Sequence, residues 1–251
     1  MNSAKPLVNF EKYIQKVLKQ IHPDLMISKN VKSQINSFIN VFGGKIAEKA
    51  SFLSNSSMAV RRTTKKENIE NIEKNIKKNK QHTIMIKDIE SSVAIIIGSN
   101  NQLYKHARSE GTKAVIKYSA TPSGTKSKHI SLTKRSGLVF SVSRSEKILR
   151  LTHCGRVSKK ASIYFASILE YLTAEILELT GNKSKDMKRT TISSKSLMYS
   201  IRDDEELDLI TLKINWRVIG GGTIPYIHKK LLPKEKQKKT RILKIKIIKH
   251  E

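Results

Sequence analysis

An apolar run from Ile163 to Leu179 constrains the fold of this chain more than any other stretch. It contains neither glycine nor proline. At about 100° per residue its apolar side chains point in almost every direction, so a helix formed by this run is buried on most sides. Glu170, Glu175 and Glu178 nevertheless fall within an arc of about 140° on that helix. The sequence therefore predicts a core helix that carries one acidic stripe.

The composition indicates a polyanionic partner. The 251 residues include 49 Lys and Arg against 21 Asp and Glu, a formal net charge of +28. Nucleic acid is the first candidate for that partner, and an anionic membrane surface is the alternative. No apolar run free of charged residues approaches the roughly 18 residues needed to span a bilayer, and the first residues lack the apolar core of a signal peptide. The single cysteine, Cys154, excludes an internal disulfide and suits a reducing compartment.

Helical spacing of apolar residues recurs through the first half of the chain. The spacing from Phe10 to His22 predicts a short helix. A helix of more than twenty residues is expected after Ser28, its N-cap. Gly43 and Gly44 lie in the middle of that helix and mark either a kink or a close helix crossing. Two further helices are predicted over 87–97 and 103–118.

The second half repeats the order of a short helix, a long helix and a short helix that is predicted for the first half. Polar, basic stretches separate these helices. An inserted loop with a short amphipathic helix is predicted near 56–81, and a linker at 120–140. Helices are then predicted over 142–151, from Ser162 onward, and over 194–201. An acidic run at 203–206, an extended segment after Leu212 and a basic tail at 234–250 follow. Two units, each of a short, a long and a short helix, can cover each other by crossing their long helices. This packing explains why the long helix of the second half is apolar on almost all sides.

Consecutive stretches in both halves resemble core histones. YIQKVLKQIHPD (Tyr13–Asp24), NSF (Asn36–Phe38) and KHARSEGTKAVIKY (Lys105–Tyr118) are similar to the 2B type. EYLTAEILEL (Glu170–Leu179), RDDEEL (Arg202–Leu207) and the later GG, P and LLP are similar to the 2A type. Single-chain fusions of this kind resemble the histone doublets of giant DNA viruses, which suggests a viral origin. Fusion makes pairing of the two halves intramolecular, at high effective concentration.

The resemblance implies a fold class and a domain order. The fold class is all-α, with two histone folds in tandem packed as an intramolecular handshake pseudo-heterodimer. The 2B-like fold would occupy 1–119 and the linker 120–140. The 2A-like fold, with a C-terminal docking segment and a basic tail, would occupy 141–251.

The resemblance also implies a DNA-binding set, because histones hold DNA through phosphates and inserted arginines without reading bases. Thr191 stands where the family has a second-loop arginine, and Arg189 is the candidate substitute. Each cation could instead be an ordinary solvated side chain. The candidate DNA-binding residues are Lys29, Arg61, Arg62, Arg144, Lys147, Arg150, Arg156, Lys188 and Arg189.

The acidic stripe belongs to a second implied site, the family's acidic patch, where basic tails and chromatin factors dock. Gln102 stands where the family has a further glutamate. The alternatives are a plain solvated face or a metal site, and metal ligation is disfavoured because no paired His or Cys accompanies the acids. The candidate patch residues are Glu110, Glu170, Glu175, Glu178, Asp204, Glu205 and Glu206.

No catalytic residue and no cofactor are expected. His153 and Cys154 are an adjacent pair without zinc spacing or an identifiable triad partner, so Cys154 is interpreted as structural or incidental. Trp216 is interpreted as a packing anchor in the docking segment rather than a platform for stacking bases.

The expected function is that of a core histone doublet, not an enzyme, which packages DNA in nucleosome-like particles without sequence specificity. Its partners would be double-stranded DNA, 3-type and 4-type histones or their doublet, and chromatin factors, with no membrane partner. Its location would be the virion and the host nucleus or viral factory if it is viral, and otherwise nuclear chromatin. Two alternatives stay open: a histone-fold scaffold subunit of a transcription or remodelling complex, and an acidic-patch mimic that captures chromatin factors.

Overall fold

The computed structural model of the protein describes residues 8–63, 83–121, 130–152 and 155–222, with side chains in those ranges except at 55–63. These ranges are predominantly helical, which confirms the all-α prediction. In the first half they hold α1 (Glu11–Ile21), β1 (Met26–Ile27), α2 (Lys29–Thr63), α3 (Ile86–Ile97) and α4 (Gln102–Ala120). In the second half they hold α5 (Leu132–Ser136), α6 (Val142–Thr152), α7 (Lys159–Asp186), β2 (Thr191–Ile192), α8 (Ser194–Asp203) and α9 (Glu205–Lys213).

The two long helices, α2 and α7, begin close to where the sequence predicts. Ser28 precedes α2, and its hydroxyl accepts the Val31 N–H at 3.3 Å, as expected of an N-cap. The helix α7 begins at Lys159, three residues before the expected start at Ser162. The helix α2 continues to Thr63, so the predicted inserted loop at 56–81 begins as helix. The rest of that segment, with its expected amphipathic helix, lies outside the described residues.

The predicted linker at 120–140 contains a short helix, α5, that the sequence analysis missed. The Ser131 hydroxyl caps its start by accepting a backbone N–H at 3.3 Å. Gly137 ends it with φ +71, a left-handed conformation that suits glycine. Leu132 and Leu138 pack against a small apolar cluster between α4, α6 and α7. Five residues are too few to show helical periodicity, which is why this stretch was interpreted as linker.

The long helices approach each other closely at Gly43, the first of the two adjacent glycines of α2. A Cβ added at Gly43 would lie 3.3 Å from the Phe165 ring and 3.4 Å from Ile148, whereas one added at Gly44 would meet nothing within 4 Å. Gly43 therefore serves a close approach to the second half, which is one of the two predicted alternatives.

The two halves share one apolar core through reciprocal contacts. The helices α1, α3 and α4 of the first half pack against α7, and α6 of the second half packs against α2. On α7, Ile168, Leu169, Leu172 and Ile176 are at most 2% exposed, as the apolar run predicts. Leu179 was expected in the same set and is only partly buried, at the edge of the core.

Two loop junctions join the halves at either end of the long helices. The strands β1 and β2 pair in parallel, with Met26 opposite Thr191 and Ile27 opposite Ile192. At the other end Ile84 forms a parallel bridge with Val157. Each junction therefore brings one loop of the first half against one loop of the second.

The segment after α8 holds a helix, α9, where the sequence predicted only an acidic run. Beyond α9, Trp216 is 8% exposed and its ring meets the edge of Phe38 at a centroid distance of 5.2 Å. Trp216 is thus a packing residue, as predicted. The expected basic tail at 234–250 lies outside the described residues. Within the described part of the chain, no helix has both the length and the apolarity to cross a bilayer.

Candidate nucleic-acid interface and acidic surface

The first loop junction brings together three of the predicted DNA-binding residues. Lys29 opens α2 directly after β1, and Lys188 and Arg189 lead into β2. All three are exposed. The turn is set by Lys188, which has φ +54, and by the Arg189 N–H, which donates to the Ser184 carbonyl at 2.9 Å. Cations from both halves therefore lie at one end of the molecule.

The second junction holds Arg156. Its carbonyl accepts the Ile84 N–H at 2.9 Å, so the junction itself fixes its backbone, and Arg156 is exposed. Arg61 and Arg62 lie in the last turn of α2, and their side chains fall outside the described residues.

The helix α6 carries the remaining predicted cations. Arg144, Lys147 and Arg150 lie on this helix, and all three are exposed. The Arg150 guanidinium pairs with Glu146 at 2.6 Å. Arg144 donates to the Asn9 carbonyl and lies 5.5 Å from the centre of the Tyr13 ring, so part of its hydrogen-bonding capacity is used within the protein.

The acidic residues converge on Tyr171, which the sequence analysis did not single out. Burial raises the pKa of the Tyr171 hydroxyl, and the negative charges of Glu175, Glu206 and Glu110 raise it further. These three carboxylates come from α7, α9 and α4. The acidic surface to which they belong is therefore built from both halves. Tyr171 lies one helical turn before Glu175. This spacing is the feature of the sequence that predicts an interaction between the two side chains.

Glu175 has several charged neighbours on the acidic surface. Burial raises the pKa of its carboxyl group, as do the charges of Glu178 and Asp204, while a hydrogen bond from Tyr171 and the charge of His106 lower it. The His106 ring stacks on Tyr171 at 6.4 Å between centroids. Nothing in the sequence marked His106, because its approach to Tyr171 depends on the packing of α4 on α7.

Glu170 departs from its predicted role. It was expected to face outward with the rest of the stripe, and instead it is half-buried and accepts the backbone N–H groups of Val139 at 2.8 Å and Phe140 at 2.7 Å. Burial raises the pKa of its carboxyl group, and these two hydrogen bonds partly offset that effect. Glu170 fixes the segment between α5 and α6, which leaves it less available to a docking partner.

The three acids near α9 also differ in what they contact. Glu206 is half-buried and accepts the N–H groups of Gln102 at 3.0 Å and Leu103 at 2.9 Å, so it caps α4 of the first half. Asp204 caps α9 by accepting the Leu207 N–H at 2.7 Å. Glu205 is exposed.

Two acids lie nearer the open surface. Glu178 is exposed, and Glu110 pairs with Lys113 on the same helix at 2.7 Å. Among the described residues, no group of three or more His, Cys, Asp or Glu could hold a metal ion.

Comparisons with known proteins place the second half in a family. The core histone domain common to the 2A, 2B, 3 and 4 types matches residues 125–202, and the C-terminus of the 2A-type histone matches residues 220–241. Histone 2A variant 1 of Arabidopsis thaliana is 50% identical over 111 residues, which are 43% of this chain and 79% of that protein. Histone 2A.1 of Tetrahymena thermophila is 41% identical over 115 residues, which are 45% of this chain and 85% of that protein. Histone 2A.Z of Mycosarcoma maydis is 43% identical over 114 residues, which are 45% of this chain and 82% of that protein.

The helices and these matches define a histone-fold protein. The chain belongs to the core histone family, and its matched part is of the 2A type. Core histones are structural proteins rather than enzymes. Both matched regions lie beyond residue 124, so the assignment of the first half to the 2B type stays a prediction.

Proposed function

We propose that this protein is a single-chain core histone doublet, with a 2B-type half followed by a 2A-type half in a handshake arrangement, which packages DNA in nucleosome-like particles. The observation that carries the proposal is the pair of loop junctions. Each joins one loop from each half, and the two present exposed Lys29, Lys188 and Arg189 at one end and Arg156 at the other.

Exposed cations at fixed separations suit a phosphate backbone rather than base edges. Binding of this kind releases counterions, so it is steeply dependent on salt and tolerant of sequence. The cations of α6, Arg144, Lys147 and Arg150, are a third proposed contact with DNA. Arg61 and Arg62 complete the proposed DNA-binding set by resemblance.

The proposed protein partners are 3-type and 4-type histones or their doublet. One chain supplies one pair of histone folds, so two copies would flank a tetramer-equivalent made from those partners. Within such a particle the acidic surface of Glu110, Glu175, Glu178, Asp204 and Glu205 is the proposed docking site for basic segments of chromatin factors. The proposed location is chromatin in a nucleus or, if the protein is viral, the virion and the host nucleus or viral factory.

Nuclease digestion tests the particle directly. We expect that the protein, reconstituted with 3-type and 4-type histones on DNA, protects a discrete DNA length from micrococcal nuclease. The protein alone should bind DNA without giving that length. A continuous smear from the complete mixture would refute the proposal of a nucleosome-like particle.

Charge reversal separates a DNA-packaging role from that of a scaffold subunit. In the double variant Arg150→Glu/Arg156→Glu, a packaging protein loses the protected length, whereas a scaffold subunit keeps its assembly partners and its activity. A matched double variant, Lys105→Glu/Lys113→Glu, reverses two exposed cations on α4, a helix that forms neither junction. It should leave the protected length unchanged.

A further inference from the structure

Gln34 is a buried polar residue that the proposed function leaves unused. It lies on α2 and is 7% exposed. Its amide nitrogen donates to the Ile219 carbonyl at 2.7 Å and to the Ser194 hydroxyl at 3.2 Å, and its amide oxygen accepts the Ile219 N–H at 3.1 Å. The opposite amide orientation would set donor against donor and acceptor against acceptor at Ile219, so these contacts fix the orientation.

The Gln34 amide therefore hydrogen-bonds both the N–H and the carbonyl of Ile219, as the backbone of a neighbouring strand does in a β-sheet. Ile219 lies in the extended segment after α9, outside any helix or strand of the described chain. One side chain of the first half thus hydrogen-bonds the backbone of this residue of the second half on both sides.

Two packing contacts flank the Gln34 amide along the same segment. Trp216 lies against Phe38 on the N-terminal side. On the other side, a Cβ added at Gly221 would come within 2.7 Å of the Met198 side chain, so the backbone there is pressed onto α8. The Ile219 side chain itself is 73% exposed. The segment is held by its backbone and presents this side chain outward.

The position of this contact connects it to the C-terminal region of the 2A type. The match to the C-terminus of the 2A-type histone begins at residue 220, directly after Ile219. Gln34 thus holds the residue that immediately precedes that region. Holding it in one conformation lowers the ordering cost that a partner must meet on binding.

We propose that Gln34 is a positioning residue, which fixes the start of the 2A-type C-terminal segment for binding to the 3-type and 4-type histone partner. This inference rests on the proposed function, because it assumes that partner. It adds that a residue of the first half, rather than the C-terminal segment alone, sets the affinity for it.

Gln34→Met tests the inference, because methionine has a similar size and makes no such hydrogen bonds. We expect amide hydrogen exchange at Ile219 to become at least about tenfold faster. Exchange at Trp216, whose N–H donates to the Thr211 carbonyl at 2.9 Å, should not change. Affinity of the full chain for a tetramer of 3-type and 4-type histones should fall about tenfold, and affinity for DNA should stay the same.

Two further variants complete the test. Gln20→Met, at an exposed glutamine of α1, should leave both exchange and affinity unchanged. Gln34→Leu also removes these hydrogen bonds at similar size, so it should reproduce both effects and serves as the test if Gln34→Met is unstable. Unchanged exchange at Ile219, or faster exchange with unchanged affinity for the tetramer, would show that Gln34 has no positioning role. A wild-type chain that binds DNA and does not bind the tetramer would refute the proposed partner itself.

Discussion

Glu206 accepts the N–H of Leu103 at 2.9 Å across a separation of 103 residues in the chain. A carboxylate of the second half thereby satisfies the first turn of a helix in the first half. Together with Glu170, it shows that acids of one surface are divided between holding the molecule together and facing solvent.

Replacing Glu206 should destabilise the protein. Glu206→Ala removes the cap from α4, and we expect the free energy of unfolding to fall by about 1–2 kcal/mol. Chemical denaturation followed by circular dichroism measures the change. Glu205→Ala, at an exposed neighbour, is the control and should change stability by less than about 0.5 kcal/mol. Equal effects of the two variants would contradict the capping role.

The stability contribution of Glu170 should depend on pH in a defined direction. Its pKa is raised in the folded state, so the folded protein binds its proton more tightly than the unfolded chain does. Stability is therefore lost as pH rises from the ordinary glutamate pKa through the raised one. Glu170→Gln should gain stability relative to wild type between about pH 4 and pH 7. A difference in unfolding free energy that is the same at both values would contradict the raised pKa.

Arg156 should contribute one phosphate contact. Arg156→Ala should lower DNA affinity similarly for unrelated sequences, and it should reduce the slope of log affinity against log salt concentration by about 0.9. Fluorescence anisotropy with labelled duplexes over a salt series measures both quantities. The control is Arg108→Ala on α4, an exposed arginine that pairs with Glu90. A loss confined to one sequence would indicate base readout instead.

The acidic surface should bind basic peptides independently of DNA. In Glu175→Ala/Glu178→Ala, capture of an arginine-rich peptide should fall by at least about tenfold, because two negative charges of the surface are lost. DNA affinity should not fall. Calorimetric titration measures the peptide, with Glu48→Ala on α2 as an exposed control. If the double variant binds the peptide as tightly as the wild type, the proposed docking role of the acidic surface is refuted.

Two glycines should respond in opposite directions to alanine. Gly44 has open space where a Cβ would lie, so Gly44→Ala should stabilise α2 by about 0.5–1 kcal/mol. A Cβ at Gly111 would come within 2.5 Å of the Tyr164 ring, so Gly111→Ala should cost about 1–3 kcal/mol. At Gly43, where the Phe165 ring lies at 3.3 Å, the helix-propensity gain and the crowding oppose each other. Thermal unfolding of Gly44→Ala and Gly111→Ala tests whether the first variant is more stable than the wild type and the second less stable.

Apolar periodicity predicted the main helices because burial repeats with the helical turn. The face of α1 that carries Ile14, Val17 and Leu18 is buried, and α7 is apolar on almost all sides because both halves pack on it. Short elements escaped the same analysis. The helices α5 and α9 have too few turns for a period to emerge, and a cap such as Ser131 is recognisable only once the helix that it starts is known.

The sequence by itself determined the helical class, the shared core, the excess of positive charge and the acidic stripe, because these depend on composition and on spacing along one segment. The tertiary structure alone decided how the polar side chains are used. Glu170 and Glu206 hold backbone N–H groups of distant segments, and Gln34 holds the backbone of Ile219. Spacing along the chain carries no information about donors and acceptors that meet only when the two halves pack together.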